Sequence, residues 1–426
     1  MEWFPYSKTK RYLTGMDWVI NALDYKAKRD TGLSNFSHLA LELAGKLDAK
    51  TFCEKIGIFL NHYPVIAGNL KRGLNLCPYW QAKQGKRVKF SFAQRALTGE
   101  EEALPLIFVF ANSNLKFDEY LSFFLVTGEK RSFLTVKFDH RLFDAAGIEA
   151  FFSLFEEYCL TQKVTPIAPV LKPDLCAWRD KFKAGQVVNR FFLKLRQGLK
   201  PITFAGAAKG GFSFIPIFFN EKESAAVYER SLSEAGYLMF MPFALAKSLQ
   251  GMKKTFSRDG DYLVPVNVNL RAKTVADNIF FNHLSFLFFR VTSKQVNGEK
   301  LLCRELAAQF FNQAKEKISY NLAQAASLMR IAPLSVVAGL LDRFTAGDCV
   351  AFAFSYLGDS AYQQKTFCGC EVTNIFHLPI IPLKPGVGIF FTRFQGRLNL
   401  TVSHAKGAMS QAQANALVQE IRNNLC

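Results

Sequence analysis

Long apolar runs are missing from this chain of 426 residues. The longest candidate, Tyr237–Leu245, is far shorter than the roughly 20 apolar residues that span a bilayer, and it contains a proline. Residues Met1 to Asp24 lack the apolar core of a secretory signal peptide. We therefore expect a cytoplasmic protein, with attachment to the inner face of the inner membrane left open.

Cysteine is sparse as well, with nine residues in the whole chain. A low, odd number excludes a small disulfide scaffold and is typical of reduced thiols. Cys368 and Cys370 have no second cysteine pair or histidine cluster nearby, so buried thiols are favoured there and we predict no metal. The sequence also contains no phosphate-loop, dinucleotide-binding, zinc-protease or nucleophile-elbow motif.

Acidic residues are few: 35 Asp and Glu stand against 53 Lys and Arg, a net charge of +18. Such a balance predicts an acidic partner, either nucleic acid, an anionic membrane, a phosphorylated cofactor or an acidic protein. Nucleic acid is disfavoured because no nucleic-acid-binding motif accompanies the charge. The basic residues concentrate in Lys71–Lys89, with Lys86 and Arg87, and in Arg179–Lys200, with Arg190, Lys194 and Arg196. The second segment is a basic amphipathic helix, which suits a solvated face, an anionic membrane or an acidic protein.

Apolar residues are abundant, including 43 Phe, and their spacing predicts an α+β protein. Alternation predicts strands over Phe36–Leu43, Tyr120–Thr127, Ser132–Phe138, Tyr262–Leu270, Ile279–Val291, Cys349–Tyr356 and Arg397–Ser403. Helical spacing predicts a helix after Asp48, one containing Ile148 and Phe155, and a last one over Gln411–Leu425 after Ser410. The proline-rich stretch Thr161–Asp174 is a linker or an ordered crossover, and it predicts lobes over residues 1–165 and 166–426. Strand–loop–helix units at Leu134–Val136 and Leu400–Val402 suggest that the lobes share one plan.

One segment, Phe138–Gly147, carries residues suited to chemistry. A predicted strand delivers His140 to its end, and a short loop passes Asp144 before a helix. Imidazole titrates near neutrality, so His140 is a candidate general base. The alternative is that Asp144 caps the helix and His140 is an ordinary loop residue.

These residues resemble a known family. His140-x-x-x-Asp144 resembles the HHxxxDG motif of the chloramphenicol-acetyltransferase-like acyltransferases, which include condensation domains, wax ester synthases and polyketide-associated acyltransferases. Leu41–Asp48 resembles the family's first strand and G-x-L-D turn, Tyr63–Gly68 its helix exit, and Val264–Arg271 with Asn278 its V-N-h-R strand. The sequence departs from the motif where Asp139 replaces the first His and Ala145 replaces the Gly.

The resemblance implies two acetyltransferase-like lobes, each a mixed, largely antiparallel sheet flanked by helices, with an active-site tunnel between them. It implies His140 as general base and Asp144 as a structural carboxylate that pairs with Arg271, or with Arg290 in reserve. Gly147, Ser355 and Asn282 are the resulting candidates for oxyanion donors or tunnel lining. The other histidines are expected to be structural, with His377 lacking a partner and His404 at the position equivalent to His140.

The implied activity is acyl transfer from a phosphopantetheine thioester, on an acyl carrier protein or coenzyme A, to an amine or hydroxyl. The donor is a cosubstrate, and no permanently bound cofactor is expected. Carrier protein or coenzyme A would dock on Lys86, Arg87, Arg190, Lys194 and Arg196, and the protein is expected to be a monomer. Two alternatives remain: a non-catalytic relative that binds acyl chains or carrier proteins, and a lipid acyltransferase at the membrane surface.

Overall fold

The computed structural model describes residues 10–74, 76–98, 102–166, 178–207, 210–271, 279–342 and 349–426. Residues 1–9, the linker positions 167–174 and Asn278 therefore lie outside the described residues. No helix within the described ranges is long and apolar enough to cross a bilayer.

The strands follow the apolar alternation of the sequence. Their bounds are β1 Lys10–Tyr12, β2 Phe36–Ala44, β3 Asn69–Arg72, β4 Pro78–Gln81, β5 Ser91–Ala96, β6 Leu121–Thr127, β7 Arg131–Asp139, β8 Phe212–Phe218, β9 Asp261–Asn269, β10 Leu284–Thr292, β11 Ala353–Asp359, β12 Thr366–Phe367, β13 Cys370–His377, β14 Val387–Phe394 and β15 Arg397–Ala405. The prediction of a strand over Ile279–Val291 was wrong in its first part, because residues 279–283 leave the sheet.

The helices begin at capping residues where the sequence offers them. Their bounds are α1 Gly15–Thr31, α2 Ala49–Asn61, α3 Ala103–Ala111, α4 Ala145–Thr161, α5 Trp178–Arg196, α6 Glu221–Glu234, α7 Phe240–Phe256, α8 Glu299–Lys315, α9 Ile318–Ala326, α10 Leu334–Leu341 and α11 Gln411–Leu425. Asp48, Asp144 and Ser410 cap α2, α4 and α11 through hydrogen bonds from backbone N–H groups, as their spacing predicted.

The fold is α+β with two lobes. In the described chain, a first sheet has the strand order β12-β13-β2-β7-β6-β5 and a second has the order β10-β9-β11-β14-β15-β8. Helices α2 and α4 contact each other on the first sheet's side, and α7 and α11 pack together beside the second. Each lobe contains an antiparallel hairpin that leads into a helix, β6–β7 into α4 and β14–β15 into α11.

The sheets do not follow the division at residue 165. Strands β12 and β13 lie far along the chain, yet β13 pairs antiparallel with β2 and extends the first sheet. The first lobe is therefore completed by a distant segment. Non-local pairing of this kind leaves no trace in local spacing, so the sequence placed residues 366–377 with the second lobe.

Phe52 tests this shared core. Its buried ring lies 5.4 to 6.0 Å from the rings of Phe92, Phe123, Phe155 and Phe367, the last from β12. We expect Phe52→Ala to lower the free energy of unfolding by about 3–5 kcal/mol, because the cavity spans elements from both halves of the chain. The half-exposed Phe311 is the control, and Phe311→Ala should cost well under half as much in urea unfolding. Equal losses would contradict this packing.

Candidate active site

His140 follows directly after β7 at one edge of the first sheet. Strand β7 is paired on one side with β2 and on the other with β6, so its end is rigidly held. The His140 backbone N–H donates to the Asn35 carbonyl at 3.0 Å. The imidazole is half-buried, which leaves part of the ring open to an incoming molecule.

Asp139, which stands where the family motif has a histidine, fastens the loop. Its carboxylate accepts the Arg141 backbone N–H at 2.9 Å and the Arg141 guanidinium at 2.6 Å. Burial alone would raise the pKa of Asp139, but the charge and hydrogen bonds of Arg141 hold this pKa below its ordinary value. The ionised Asp139 carboxylate thus stabilises the turn of the chain just after His140.

Asp144 ties this loop to the second lobe. Its Oδ1 accepts the Gly147 N–H at 2.9 Å and Arg271 Nη2 at 2.5 Å, and its Oδ2 accepts the His283 N–H at 3.1 Å. Both partners of the Asp144–Arg271 ion pair are more than 90% buried. The structure therefore brings Asp144 and Arg271 together, in the arrangement that the family resemblance implies. Arg290, the reserve candidate, instead binds Asp261 and the carbonyls at the end of α5.

A short segment, residues 279–283, crosses the His140 loop; we call it the crossing segment. The Phe281 N–H donates to the Leu142 carbonyl at 2.6 Å, and Phe281 forms a parallel bridge with Phe143. Phe281 has a φ of 72°, a conformation that non-glycine residues adopt at a cost. The crossing segment therefore holds a strained backbone that places Asn282 against His140.

Asn282 fixes the orientation and tautomer of the His140 ring. Its Nδ2 donates to the His140 carbonyl at 2.8 Å, and its Oδ1 lies 3.0 Å from His140 Nδ1. A carbonyl only accepts hydrogen bonds, so the amide nitrogen must face it and the amide oxygen must face the ring. Nδ1 then carries the proton, and Nε2 of the neutral ring keeps its lone pair.

Asp17, which no sequence pattern singled out as a site residue, positions the Asn282 backbone. The fully buried Asp17 accepts the Asn282 N–H through Oδ1 at 3.0 Å and the Thr14 N–H and hydroxyl through Oδ2 at 2.9 Å. Thr14 and Asp17 form a capping box at the start of α1, a pattern visible in the sequence. Its link to a residue 265 positions away was not visible.

Gly147 has a packing role instead of the predicted oxyanion role. Its N–H already donates to Asp144, so this donor is not available to an oxyanion. A Cβ at this position would lie 2.3 Å from the Ile279 carbonyl oxygen. Glycine is therefore required so that the crossing segment can approach α4.

The remaining predicted residues lie elsewhere. Ser355 is buried in β11 opposite Phe390, and no hydrogen bond within the described ranges joins it to the His140 loop. Lys86 and Arg87 line an open cavity of about 600 Å³ together with Lys89. These three cations lead into β5, whose first residues pair with the start of β6 at the edge where β7 delivers His140. Arg190, Lys194 and Arg196 are exposed on α5.

Of the other described histidines, His283, His377 and His404 make contacts within the fold. His377, expected to lack a partner, binds Glu149 through Nε2 at 2.7 Å, and both side chains are buried. His404 is buried in β15, and burial lowers its pKa. Burial also lowers the pKa of His283, helped by the charge of Arg11. His377 and His404 lie within strands, whereas His283 lies in the crossing segment, where its Nε2 donates to the Phe280 carbonyl at 3.2 Å.

One group of side chains resembles a metal site. Glu156, Cys159 and Cys368 place their ligand atoms within 4.8 Å of one another. Both Glu156 oxygens already accept hydrogen bonds, from the Thr366 hydroxyl at 2.9 Å and the Cys368 N–H at 2.6 Å. The cluster is therefore satisfied without an ion, and the neighbouring thiols lie 3.9 Å apart.

Comparison with solved structures identifies the fold of the whole chain. Trichothecene 15-O-acetyltransferase TRI3 from Fusarium sporotrichioides superposes with a TM-score of 0.70 at 12% identity, over 98% of this chain and 95% of that one. The first condensation domain of the CDA synthetase gives 0.71 at 12% identity, over 99% and 96% of the chains. The chain has the condensation-domain fold. The condensation domain of the polyketide synthase MokA agrees, with a TM-score of 0.66 at 12% identity over 98% and 96%.

Sequence comparison adds nothing to this: no protein-family model and no curated protein matches the chain. In the condensation-domain fold described above, His140, Asp144, Arg271 and Asn282 meet where the two lobes touch. At about 12% identity the likeness shows the fold alone.

The buried ion pair gives a stability test. We expect Arg271→Met to lower the free energy of unfolding by about 3–5 kcal/mol, because the Asp144 carboxylate would stay buried without its cation. The double variant Asp144→Asn, Arg271→Met should regain part of that loss. The control is Arg131→Met, since Arg131 pairs with Glu42 but is 63% exposed, and about 0–1 kcal/mol is expected there. Similar losses at Arg271 and Arg131 in denaturant unfolding would contradict the role of the pair.

A second test concerns pH. Burial, with the nearby charge of Lys137, lowers the pKa of His38 to about 3 from an ordinary 6.5. Between pH 6.5 and pH 3, His38 is protonated in the unfolded chain but stays neutral in the folded protein. The free energy of unfolding therefore falls as the pH falls. The contribution is about 1.4 kcal/mol per pH unit inside the window. We expect His38→Met to flatten this slope in urea titrations between pH 6.5 and 4, whereas His62→Met, at an exposed site, leaves it unchanged.

Proposed function

We propose that this protein transfers an acyl group from a pantetheine thioester to an amine or hydroxyl acceptor, with His140 as the general base. The observation that carries the proposal is the Asn282–His140 contact, because it leaves the Nε2 lone pair as the ring's free basic site. The condensation-domain fold supports the assignment, since TRI3 is an O-acetyltransferase by name and the CDA and MokA domains are condensation domains.

The proposed reaction needs only the thioester donor, the acceptor and the His140 ring. His140 Nε2 takes the proton from the acceptor as its nitrogen or oxygen attacks the thioester carbonyl. The new C–N or C–O bond forms a tetrahedral oxyanion, whose collapse breaks the C–S bond. The imidazolium returns its proton to the departing pantetheine thiolate, so the neutral ring is restored. Gly147 does not supply the oxyanion donor, because Asp144 occupies its N–H.

The donor's phosphate has a candidate position. Lys86, Arg87 and Lys89 border the open cavity at the His140 edge of the first sheet. Strand β5 is two strands away from β7, about 10 Å at ordinary strand spacing. An extended pantetheine arm can bridge a gap of this order. Glu119 also lines the cavity and Lys86 pairs with Asp118 at 3.3 Å, so Arg87 and Lys89 are the cations that we expect to bind the phosphate of a carrier protein or of coenzyme A.

A non-catalytic acyl-binding or carrier-binding relative is the second candidate, and Asp139 is the observation in its favour. The family motif has a histidine there. In this structure Asp139 binds the backbone and the side chain of Arg141 and so shapes the loop. This role does not involve the His140 ring. Turnover, as opposed to binding alone, separates the two candidates.

Substitution of His140 tests the activity. With acyl-coenzyme A thioesters of graded chain length, and the same acyl groups on a phosphopantetheinylated carrier protein, thiol release is measured against a panel of amines and alcohols. We expect His140→Ala to lower kcat by roughly 10²–10⁴-fold with little change in thermal stability. The control His62→Ala alters an exposed ring and should keep full activity. Full turnover by His140→Ala would remove His140 from the mechanism, and donor binding without turnover by the wild type would favour the second candidate.

Asn282 is a positioning residue whose role shows in the pH profile. Asn282→Ala removes the acceptor from Nδ1, so kcat should fall by roughly 10²-fold while KM changes little. Asn282→Asp loses the donor to the His140 carbonyl but keeps an acceptor for Nδ1 and adds a negative charge, which raises the imidazole pKa and moves the acidic limb of kcat/KM to higher pH. An unshifted limb in Asn282→Asp would show that Asn282 does not act through the His140 ring.

A further inference from the structure

Helix α5 presents an outward face that no described element covers. Its buried side chains are Lys181, Ala184 and Val188. On this inner side α5 packs along α9, and the Phe192 ring packs edge-to-face against Phe288 of β10, with 4.9 Å between ring centroids. The opposite side is left to solvent within the described chain.

The outward face carries two parallel stripes. Trp178, Phe182 and Leu193 are 39%, 61% and 65% exposed and fall along one line of the helix, on which the exposed polar residues Gln186 and Asn189 lie between Phe182 and Leu193. The second stripe is cationic. Each apolar residue of the first stripe is followed in sequence by a cation, and the second stripe consists of the exposed residues Arg179, Lys183, Arg190 and Lys194. One residue corresponds to a rotation of about 100°, so an apolar stripe runs directly beside a cationic stripe.

The helix is fastened to the second lobe. Arg290 donates to the carbonyls of Leu195, Gln197 and Gly198 at 2.7 to 3.2 Å, which caps the C-terminal end of α5. The same guanidinium binds Asp261 at 3.0 Å. The two stripes are therefore held at a fixed orientation on the molecule, as a docking surface requires.

We propose that this face of α5 docks on an anionic lipid surface. Trp178 and Leu193 are 15 residues apart, so the apolar side chains lie at the two ends of a straight line of about 22 Å, and both ends can reach one planar boundary. Aromatic and aliphatic side chains enter the headgroup–acyl boundary, and the adjacent cations reach the lipid phosphates. Residues 178–200 contain one acidic residue, Asp180, so little repels an anionic headgroup.

An acidic protein is the competing occupant, and the exposed apolar stripe argues against it. Phosphate-seeking cations alone would suit a carrier protein, but Phe182 and Leu193 would remain in water beside a strongly charged partner. At a bilayer both stripes are satisfied at once. The inference is independent of the proposed acyl transfer, because it uses no residue of the His140 site.

Vesicle sedimentation tests the inference with the full-length protein. Vesicles of phosphatidylcholine alone are compared with vesicles rich in phosphatidylglycerol, at low and high salt. We expect binding to the anionic vesicles only, weakened by salt. Lys183→Gln, Lys194→Gln should weaken it roughly 30-fold, at the usual contribution of a cation near an anionic surface. Phe182→Gln, Leu193→Gln should weaken binding at every salt concentration.

The matched control is Lys222→Gln, Leu232→Gln on α6, which removes one exposed cation and one exposed apolar side chain elsewhere. This variant should bind like the wild type, and thermal unfolding of all variants checks that they are folded. Three results would overturn the inference: no wild-type binding to anionic vesicles, equal losses in the control, or loss of carrier-protein binding in Lys183→Gln, Lys194→Gln by a protein that ignores vesicles.

Discussion

The site depends on the contact between the crossing segment and the loop that carries His140. Through this contact the second lobe supplies Asn282 to a histidine that belongs to the first. Asp17, at the start of α1, holds the backbone of Asn282, so three distant parts of the chain determine one ring orientation. In the acyl transfer that we propose, a base whose tautomer is set before the reactants arrive would need no rearrangement during the reaction.

The Asp144–Arg271 pair serves the same contact by a different route. A buried ion pair adds little net stability, because desolvation of two charges offsets their attraction. Its value here is directional: Asp144 simultaneously caps α4, receives Arg271 from beyond β9 and receives the backbone of His283. Glycine at position 147 makes room for the crossing segment beside that cap. The Asp144–Arg271 pair is therefore buried because it fixes where the two lobes meet, and not because it adds net stability.

Local patterns in the sequence predicted the parts of this site that are local. Helical spacing and capping residues located α2, α4 and α11, and the His140–Asp144 spacing located the loop. The resemblance paired Asp144 with Arg271. The tautomer lock by Asn282, the support from Asp17 and the partner of His377 were missed, because each joins residues 142 to 265 positions apart. Such contacts arise from tertiary packing, and no spacing along the chain encodes them.

The placement of β13 has a consequence for how the protein is made. Strand β2 occupies an interior position in the first sheet only because residues 370–377 lie against it. During synthesis, the first lobe emerges from the ribosome with that edge uncovered, and it stays uncovered until residues 370–377 have been translated. The first lobe therefore cannot complete its sheet before most of the second lobe has been translated. Completion of the lobe that bears His140 has to wait for the synthesis of β13.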